Sequence, residues 1–232
     1  MKAVIFAGGY GTRLSERTDA IPKPMVEIGG RPILWHIMKI YSHYGVNDFV
    51  ICCGYKQQVI KDYFANFFLY NSDVTLDLSN NSMEIHNSTS ENWRVTLVDT
   101  GLDTFTGGRL KRVQPYVGHE RFFLTYGDGG ADINIEDTLT AHIEAGKKLS
   151  MTVYQPQGKL GVVDIDDTGD VKGFIEKPRS GGNWINAGFF VCEPEVFDVL
   201  EGDHEMFEQE PTQKLVAENE VHAFKHFGFW RP

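Results

Sequence analysis

Apolar residues fall along the chain in two alternating rhythms. Short unbroken runs at residues 2–7, 48–53, 95–98, 122–126 and 150–154 read as buried strands. Between them, apolar positions recur at helical spacing. Residues 33–44 carry Ile33, Leu34, Ile37, Ile40, Tyr41 and Tyr44, and residues 59–70, 109–117 and 135–145 continue the pattern. Strand and helix in alternation predict an α/β chain with a mainly parallel sheet and helices on both faces. After about residue 155 the texture changes. Residues 161–165, 171–176 and 184–192 read as strands joined by acidic turns, and Thr168-Gly169-Asp170 is a hairpin signal. A β-rich part is therefore expected as an addition to the open sheet. No Pro- or Ser-rich linker divides the chain, so residues 1–232 are read as one domain, with a first part over 1–155 and a second over 156–232. Residues 71–92, rich in Asn and Ser, are expected to form a mobile excursion.

Composition narrows the function class. The 232 residues are 41% hydrophobic and 23% charged, which excludes a disordered chain. No stretch approaches the ~20 apolar residues of a membrane span, and the apolar start breaks too early, at Gly8-Gly9, for a signal peptide. Twenty-two basic against 32 acidic side chains leave a net charge of -10, the wrong sign for a duplex nucleic-acid binder. A polyanionic small ligand would need a locally basic site, a divalent cation, or both. Three cysteines, Cys52, Cys53 and Cys192, are no disulfide framework and point to a reducing, cytoplasmic setting.

Two segments carry candidate chemistry. Ala7-Gly8-Gly9-Tyr10-Gly11-Thr12-Arg13-Leu14 follows the first predicted strand, where a glycine loop lets backbone N–H groups approach an anion. Leu14 stands where a dinucleotide fingerprint needs Gly, and Gly11-Thr12-Arg13 stands where a P-loop has Gly-Lys-Ser/Thr. What remains is a glycine turn followed by Thr12 and Arg13, with Lys23 held between Pro22 and Pro24. Arg13 can bridge two phosphate oxygens with its planar fork, and Lys23 adds a point charge. Asp128 sits between Gly127 and Gly129 at the carboxyl end of a predicted strand, the edge where open α/β sheets hold ligands. A carboxylate there suits Mg²⁺, which keeps substrate phosphates in its shell. Taken singly, the glycines also read as an ordinary tight turn and Asp128-Gly129 as a turn pair. Asp132 reads as the N-cap of the helix that begins near Ile135.

The motifs taken together resemble a known family. Gly8-Gly9-Tyr10-Gly11-Thr12-Arg13 with Pro22-Lys23-Pro24 is similar to the signature of the sugar-phosphate nucleotidylyltransferases. Residues 22–30, 32–36, 52–55, 98–101, 106–112, 126–129, 176–178 and 227–230 extend the resemblance nearly end to end. Cys52-Cys53 and the run from Thr106 to Arg112 favour its glucose-1-phosphate cytidylyltransferase branch over the thymidylyl and uridylyl branches. The resemblance implies a Rossmann-like three-layer fold of the nucleotide-diphospho-sugar transferase kind, with a mixed, mostly parallel sheet and a β-rich sugar-binding addition. It implies CTP and glucose 1-phosphate as substrates, CDP-glucose and pyrophosphate as products, and Mg²⁺ as cofactor on Asp128. Arg13, Lys23 and Asp128 would be catalytic. Ala7, Gly8, Gly9, Gly11, Thr12, Thr100, Gly101, Thr106, Gly107 and Arg109 would join them in holding the nucleotide. The turn around Thr106-Gly107-Gly108 would read the pyrimidine edge, with Arg109 as a further donor. Gly161, Glu176, Lys177 and Asn186 would hold the sugar phosphate.

The resemblance further implies a homo-oligomer, a hexamer, with no nucleic-acid or membrane partner, serving CDP-linked deoxysugars of bacterial lipopolysaccharide O-antigen. It also implies a tail with a second metal-binding Asp, beyond the last residue here, Pro232. Two alternatives stay open at this point: a different sugar 1-phosphate or nucleotide, and a nucleotide-binding regulatory homologue with little turnover. Other features point to structure. His222 and His226 lie in a strand-like segment, Cys52-Cys53 in a buried strand, and Tyr63, Phe64, Phe67, Phe68 and Tyr70 read as core or subunit contact.

Overall fold

The computed structural model describes residues 1–10, 21–156, 162–165, 170–175 and 183–231. Seven strands form its main sheet: β1 (Lys2–Phe6), β2 (Asp48–Cys53), β3 (Arg94–Asp99), β4 (Phe122–Tyr126), β5 (Leu149–Tyr154), β6 (Ile185–Cys192) and β7 (Val221–His226). They lie in the order β7-β5-β6-β4-β1-β2-β3. Every pairing is parallel except those of β6, which runs antiparallel to both β4 and β5. This is the mixed, mostly parallel α/β sheet expected from the alternation of runs.

Because successive side chains on a strand face opposite ways, each buried run supplies two cores. Ala3 and Ile5 of β1, Phe49 and Ile51 of β2 and Phe123 of β4 pack against helix α1 (Ile33–His43) and against Ile60 of helix α2 (Gln57–Ala65). Val4, Phe6, Val50, Phe122 and Leu124 pack the other way, against helix α4 (Thr106–Val117) and helix α6 (Glu210–Ala217). Cys52 and Cys53 divide between the two cores. All three cysteines are buried free thiols, and burial pushes the Cys53 thiol up to about 12.

Several details depart from the sequence reading. The helix expected over 59–70 breaks at Asn66 into α2 and the single-turn α3 (Phe67–Tyr70). Residues 71–92 hold a two-stranded hairpin, Ser72–Asp77 against Ser82–Ser88. Nearly all its residues are exposed, so the excursion expected there is a paired arm projecting from the body. In the second half of the chain β6 and β7 join the main sheet, while two small pairs, Val162–Ile165 with Val171–Ile175 and Trp230–Arg231 with Gly130–Ala131, lie apart from it. The hairpin signal at Thr168-Gly169 falls outside the described residues.

The N-cap of helix α5 (Ile135–Ala145) is Asn134, whose side chain accepts from Glu136 N and Asp137 N, and not Asp132. Asp132 instead pairs with His226 at 3.1 Å. Asn134→Ala should therefore lower stability by about 1 kcal/mol, a fall of roughly 2–4 °C in Tm, while Asp132→Ala leaves the helix cap intact. Thermal unfolding of the two variants checks this.

Candidate active site

The strand order reverses between β1 and β4: the chain runs outward from β1 through β2 to β3, then returns to place β4 on the other side. Loops leaving the carboxyl ends of two such strands part and open a crevice. Here the loop after β1 carries Ala7, Gly8 and Gly9, and the loop after β4 carries Gly127 and Asp128. Gly127 N donates to Phe6 O at 2.8 Å and ties the two strand ends together. Across the crevice a 3₁₀ turn, Lys23–Met25, presents Lys23. Pro24 follows it and seats its ring beside Gly127, where a Cβ would come within 3.2 Å. Lys23 Nζ and Asp128 Oδ2 meet at 2.8 Å.

The resulting cleft of about 330 Å³ is lined by Ala7, Gly8, Gly9, Lys23, Thr106, Arg109 and Asp128 among the predicted residues. Tyr10, Thr104, Tyr126 and Met206 also line it and were missed from sequence. Two of them had a signal: Tyr10 within the glycine motif, and Tyr126 as the residue closing the strand that leads to Asp128. Thr100, Gly101 and Gly107 stand behind the wall. Asn186 joins the site by donating its amide to the Tyr126 hydroxyl at 3.3 Å. Gly11, Thr12, Arg13, Gly161, Glu176 and Lys177 lie outside the described residues.

Arg109, expected as a donor to the nucleoside, lines the cleft and is also engaged by the protein itself. The residue is buried, 4% exposed, and its guanidinium is bonded to surrounding loops. One terminal nitrogen bonds Thr100 Oγ1 at 2.7 Å, Gly101 O at 2.8 Å and Cys53 O at 3.3 Å. The other bonds Gly8 O at 3.0 Å and Leu102 O at 3.2 Å. Burial holds its pKa below the usual arginine value. Gly8 and Gly54 flank the guanidinium so closely that a Cβ on either would stand within 2.4 Å of it. The missing side chain of Gly8 thus makes room for Arg109, while Gly9 faces open space.

Arg109 therefore braces three loops at the sheet edge. Arg109→Met would strand several buried carbonyls, each worth about 1–3 kcal/mol when unpaired. We expect a net loss of about 3 kcal/mol, or roughly 6–12 °C in Tm, read by thermal unfolding.

The turn expected at Thr106-Gly107-Gly108 is instead the first turn of α4. Its glycines permit close packing on residues 202–205: a Cβ on Gly107 would meet Glu205 Cγ at 2.6 Å, and one on Gly108 would meet Asp203 Cα at 2.5 Å. The Thr106 hydroxyl donates to Glu208 at 2.6 Å and accepts from Phe207 N at 2.9 Å. The Thr106 hydroxyl is thus spent inside the protein. Asn186-Ala187-Gly188 lies at the start of strand β6. Gly188 has φ +83°, and a Cβ there would stand 2.4 Å from the Tyr126 ring.

For a divalent cation the donor chemistry fits. Asp128 offers hard carboxylate oxygens at the crevice, with a side-chain exposure of 39% that leaves room for further oxygen ligands. Among the described residues there is no cluster of three or more metal-ligating side chains. Asp128 alone suits an ion that brings phosphate and water with it, and does not suit an enclosed structural metal site. Among the described residues, no helix is long and apolar enough to cross a membrane.

Comparison with known proteins bears on the same residues. The family model described as nucleotidyl transferase matches residues 2–231. The chain is 56% identical over 233 aligned positions to the glucose-1-phosphate cytidylyltransferase of Salmonella typhi, covering all of this chain and 90% of that protein. It is 45% identical to a probable glucose-1-phosphate cytidylyltransferase of Bacillus subtilis, covering 99% of this chain and 90% of that one. Among solved structures, HddC from Yersinia pseudotuberculosis superposes with a TM-score of 0.68 at 22% identity, over 99% of this chain and 92% of that one, a likeness of fold. The crevice at the strand reversal and the family match over almost the whole length agree, and the chain belongs to the nucleotidyl transferase family.

Proposed function

We propose that this protein transfers the cytidylyl group of CTP to α-D-glucose 1-phosphate, giving CDP-glucose and pyrophosphate. The observation that carries the reading is the Lys23–Asp128 pair facing the Gly8-Gly9 loop at the strand reversal, in a chain 56% identical to an enzyme of that name.

A phosphate monoester is a competent nucleophile near neutral pH, so the reaction needs no protein base. A phosphate oxygen of the sugar phosphate forms a bond to the α-phosphorus of CTP. The bond from that phosphorus to the bridging oxygen breaks on the opposite side, and pyrophosphate leaves with the electron pair. The protein's work is positioning and charge stabilisation. Gly9 lies in open space where backbone can approach the triphosphate. Lys23 holds the α-phosphate, and Arg13 is assigned to the leaving pyrophosphate. Asp128 holds Mg²⁺, which when bound neutralises charge on the triphosphate. Lys177 is assigned to orient the nucleophile, with Gly161, Glu176 and Asn186 around the hexose. A reducing, cytoplasmic setting is supported by the three buried free thiols. A homo-oligomer is supported by the apolar side chains Leu76, Leu78, Met83 and Ile85 exposed on the projecting arm.

A substrate panel varying both base and sugar, read as pyrophosphate release, tests the proposal. The expected result is highest kcat/KM for CTP with glucose 1-phosphate and dependence on a divalent cation. A higher kcat/KM for another pair, or nucleotide binding with no release, would overturn it.

A further inference from the structure

A carboxylate outside every predicted motif lies at the joint between the two sides of the cleft. Glu208, in the segment that leads into α6, receives two hydroxyl hydrogen bonds. Thr106 donates to Oε2 at 2.6 Å, and Tyr126 donates to Oε1 at 2.5 Å. Thr106 opens α4 on the nucleotide side, and Tyr126 ends the strand that leads to Asp128. The Tyr126 oxygen in turn accepts from the Asn186 amide at 3.3 Å, while Asn186 Oδ1 accepts from Gly188 N at 2.7 Å.

The direction of these bonds is forced. A carboxylate oxygen accepts and does not donate, so the hydroxyl proton of Tyr126 is spent on Glu208. Burial first, and the Glu208 carboxylate after it, push the phenol pKa far up, which keeps that proton on Tyr126. The phenol oxygen can then only accept from Asn186. An amide whose nitrogen donates to Tyr126 and whose oxygen accepts from Gly188 N is held at both ends in one orientation. The ring is also held in place. It lies against Gly188, where no other residue would leave it room, and it contacts Phe6 and Phe190 at 6.0 Å between centroids.

We propose that Glu208 is a positioning residue for the sugar phosphate, acting through Tyr126 to fix the orientation of Asn186. The inference rests on the functional reading above, in which Asn186 faces the hexose. Glu208 is two contacts removed from the hexose: with Gly188 N already on the Asn186 oxygen, it holds the nitrogen end of that amide through the Tyr126 hydroxyl.

The test compares Tyr126→Phe, Glu208→Gln and the double variant in steady-state kinetics, with thermal unfolding to confirm folding. Tyr126→Phe keeps the ring and leaves the Thr106–Glu208 bond in place. It should raise KM for glucose 1-phosphate about tenfold, the weight of one oriented hydrogen bond, and leave KM for CTP within about twofold. Glu208→Gln should raise KM for glucose 1-phosphate by a similar factor, because an amide can donate to the phenol and let Asn186 turn. The double variant should be no worse than the poorer single one, since both act through one contact. Unchanged sugar KM in Tyr126→Phe, equal rises in both KM values for that variant, or multiplicative losses in the double variant would each overturn the proposal. A wild-type protein that releases no pyrophosphate would refute the functional reading and this inference with it. A wild type that turns over beside unaffected variants would refute this inference alone.

Discussion

Asp128→Asn is expected to lower CDP-glucose formation at least about a hundredfold, the typical loss when one preorganised charge contact is removed. Asparagine keeps the shape of the side chain and removes only its charge. The packing consequences are small, because Asp128 is more than a third exposed and its bond to Lys23 is a partly solvated ion pair. Such pairs contribute about 0–1 kcal/mol to folding, so Tm should stay within about 3 °C of the parent. A hundredfold loss in rate with an unmoved Tm would place the effect on the reaction. The magnesium concentration for half-maximal activity should rise as well, because the amide is a poorer ligand than the carboxylate. Near-normal turnover in Asp128→Asn would contradict the assignment.

Lys23→Met should cause a loss of similar size, at least about a hundredfold in kcat/KM for CTP. Lys23 is the better enclosed partner, with 16% of its side chain exposed. Its backbone is set by flanking prolines: Pro22 is extended at φ -68°, ψ 148°, and Met25 N closes the turn on Pro22 O at 2.8 Å. The ammonium is therefore aimed into the cleft before substrate arrives. Its Nζ rests on Asp128 at 2.8 Å, and on the function proposed above the triphosphate should exchange that partner for phosphate oxygens. Lys23→Arg should not restore the rate, because the planar fork is larger and fixes its hydrogen bonds in different directions from a compact ammonium. Steady-state kinetics of the two variants, alongside their Tm, separates this expectation from simple destabilisation.

Much of the fold was legible because its information is local. Each buried strand is a short apolar run, each covering helix shows its apolar face, and the two periods do not overlap. Gly8-Gly9, Lys23 and Asp128 were legible for a related reason: glycines, a proline-flanked cation and a carboxylate at strand ends are unusual in their own neighbourhoods. What escaped depends on partners distant in the chain. Arg109 looks like one cation on a solvated helix face, yet its acceptors include Gly8 O, a separation of 101 residues. Glu208 sits in an acidic stretch that reads as surface, and its two donors are 82 and 102 residues away. Thr106-Gly107-Gly108 read as a turn because Gly-Gly is poor in a helix. Packing of those glycines on residues 202–205 overrides that propensity. The N-cap of α5 is Asn134, the residue directly before Ile135, whereas Asp132 lies two residues too early to cap that turn and pairs with His226.

The account turns on where the triphosphate binds. A crystal structure of the protein with CTP and magnesium tests this most directly. It should show phosphate oxygens beside the Gly8-Gly9 backbone and on Lys23 Nζ, the metal on Asp128, and the 2.8 Å Lys23–Asp128 contact opened. A nucleotide bound away from the β1–β4 crevice, with that ion pair still closed, would contradict it.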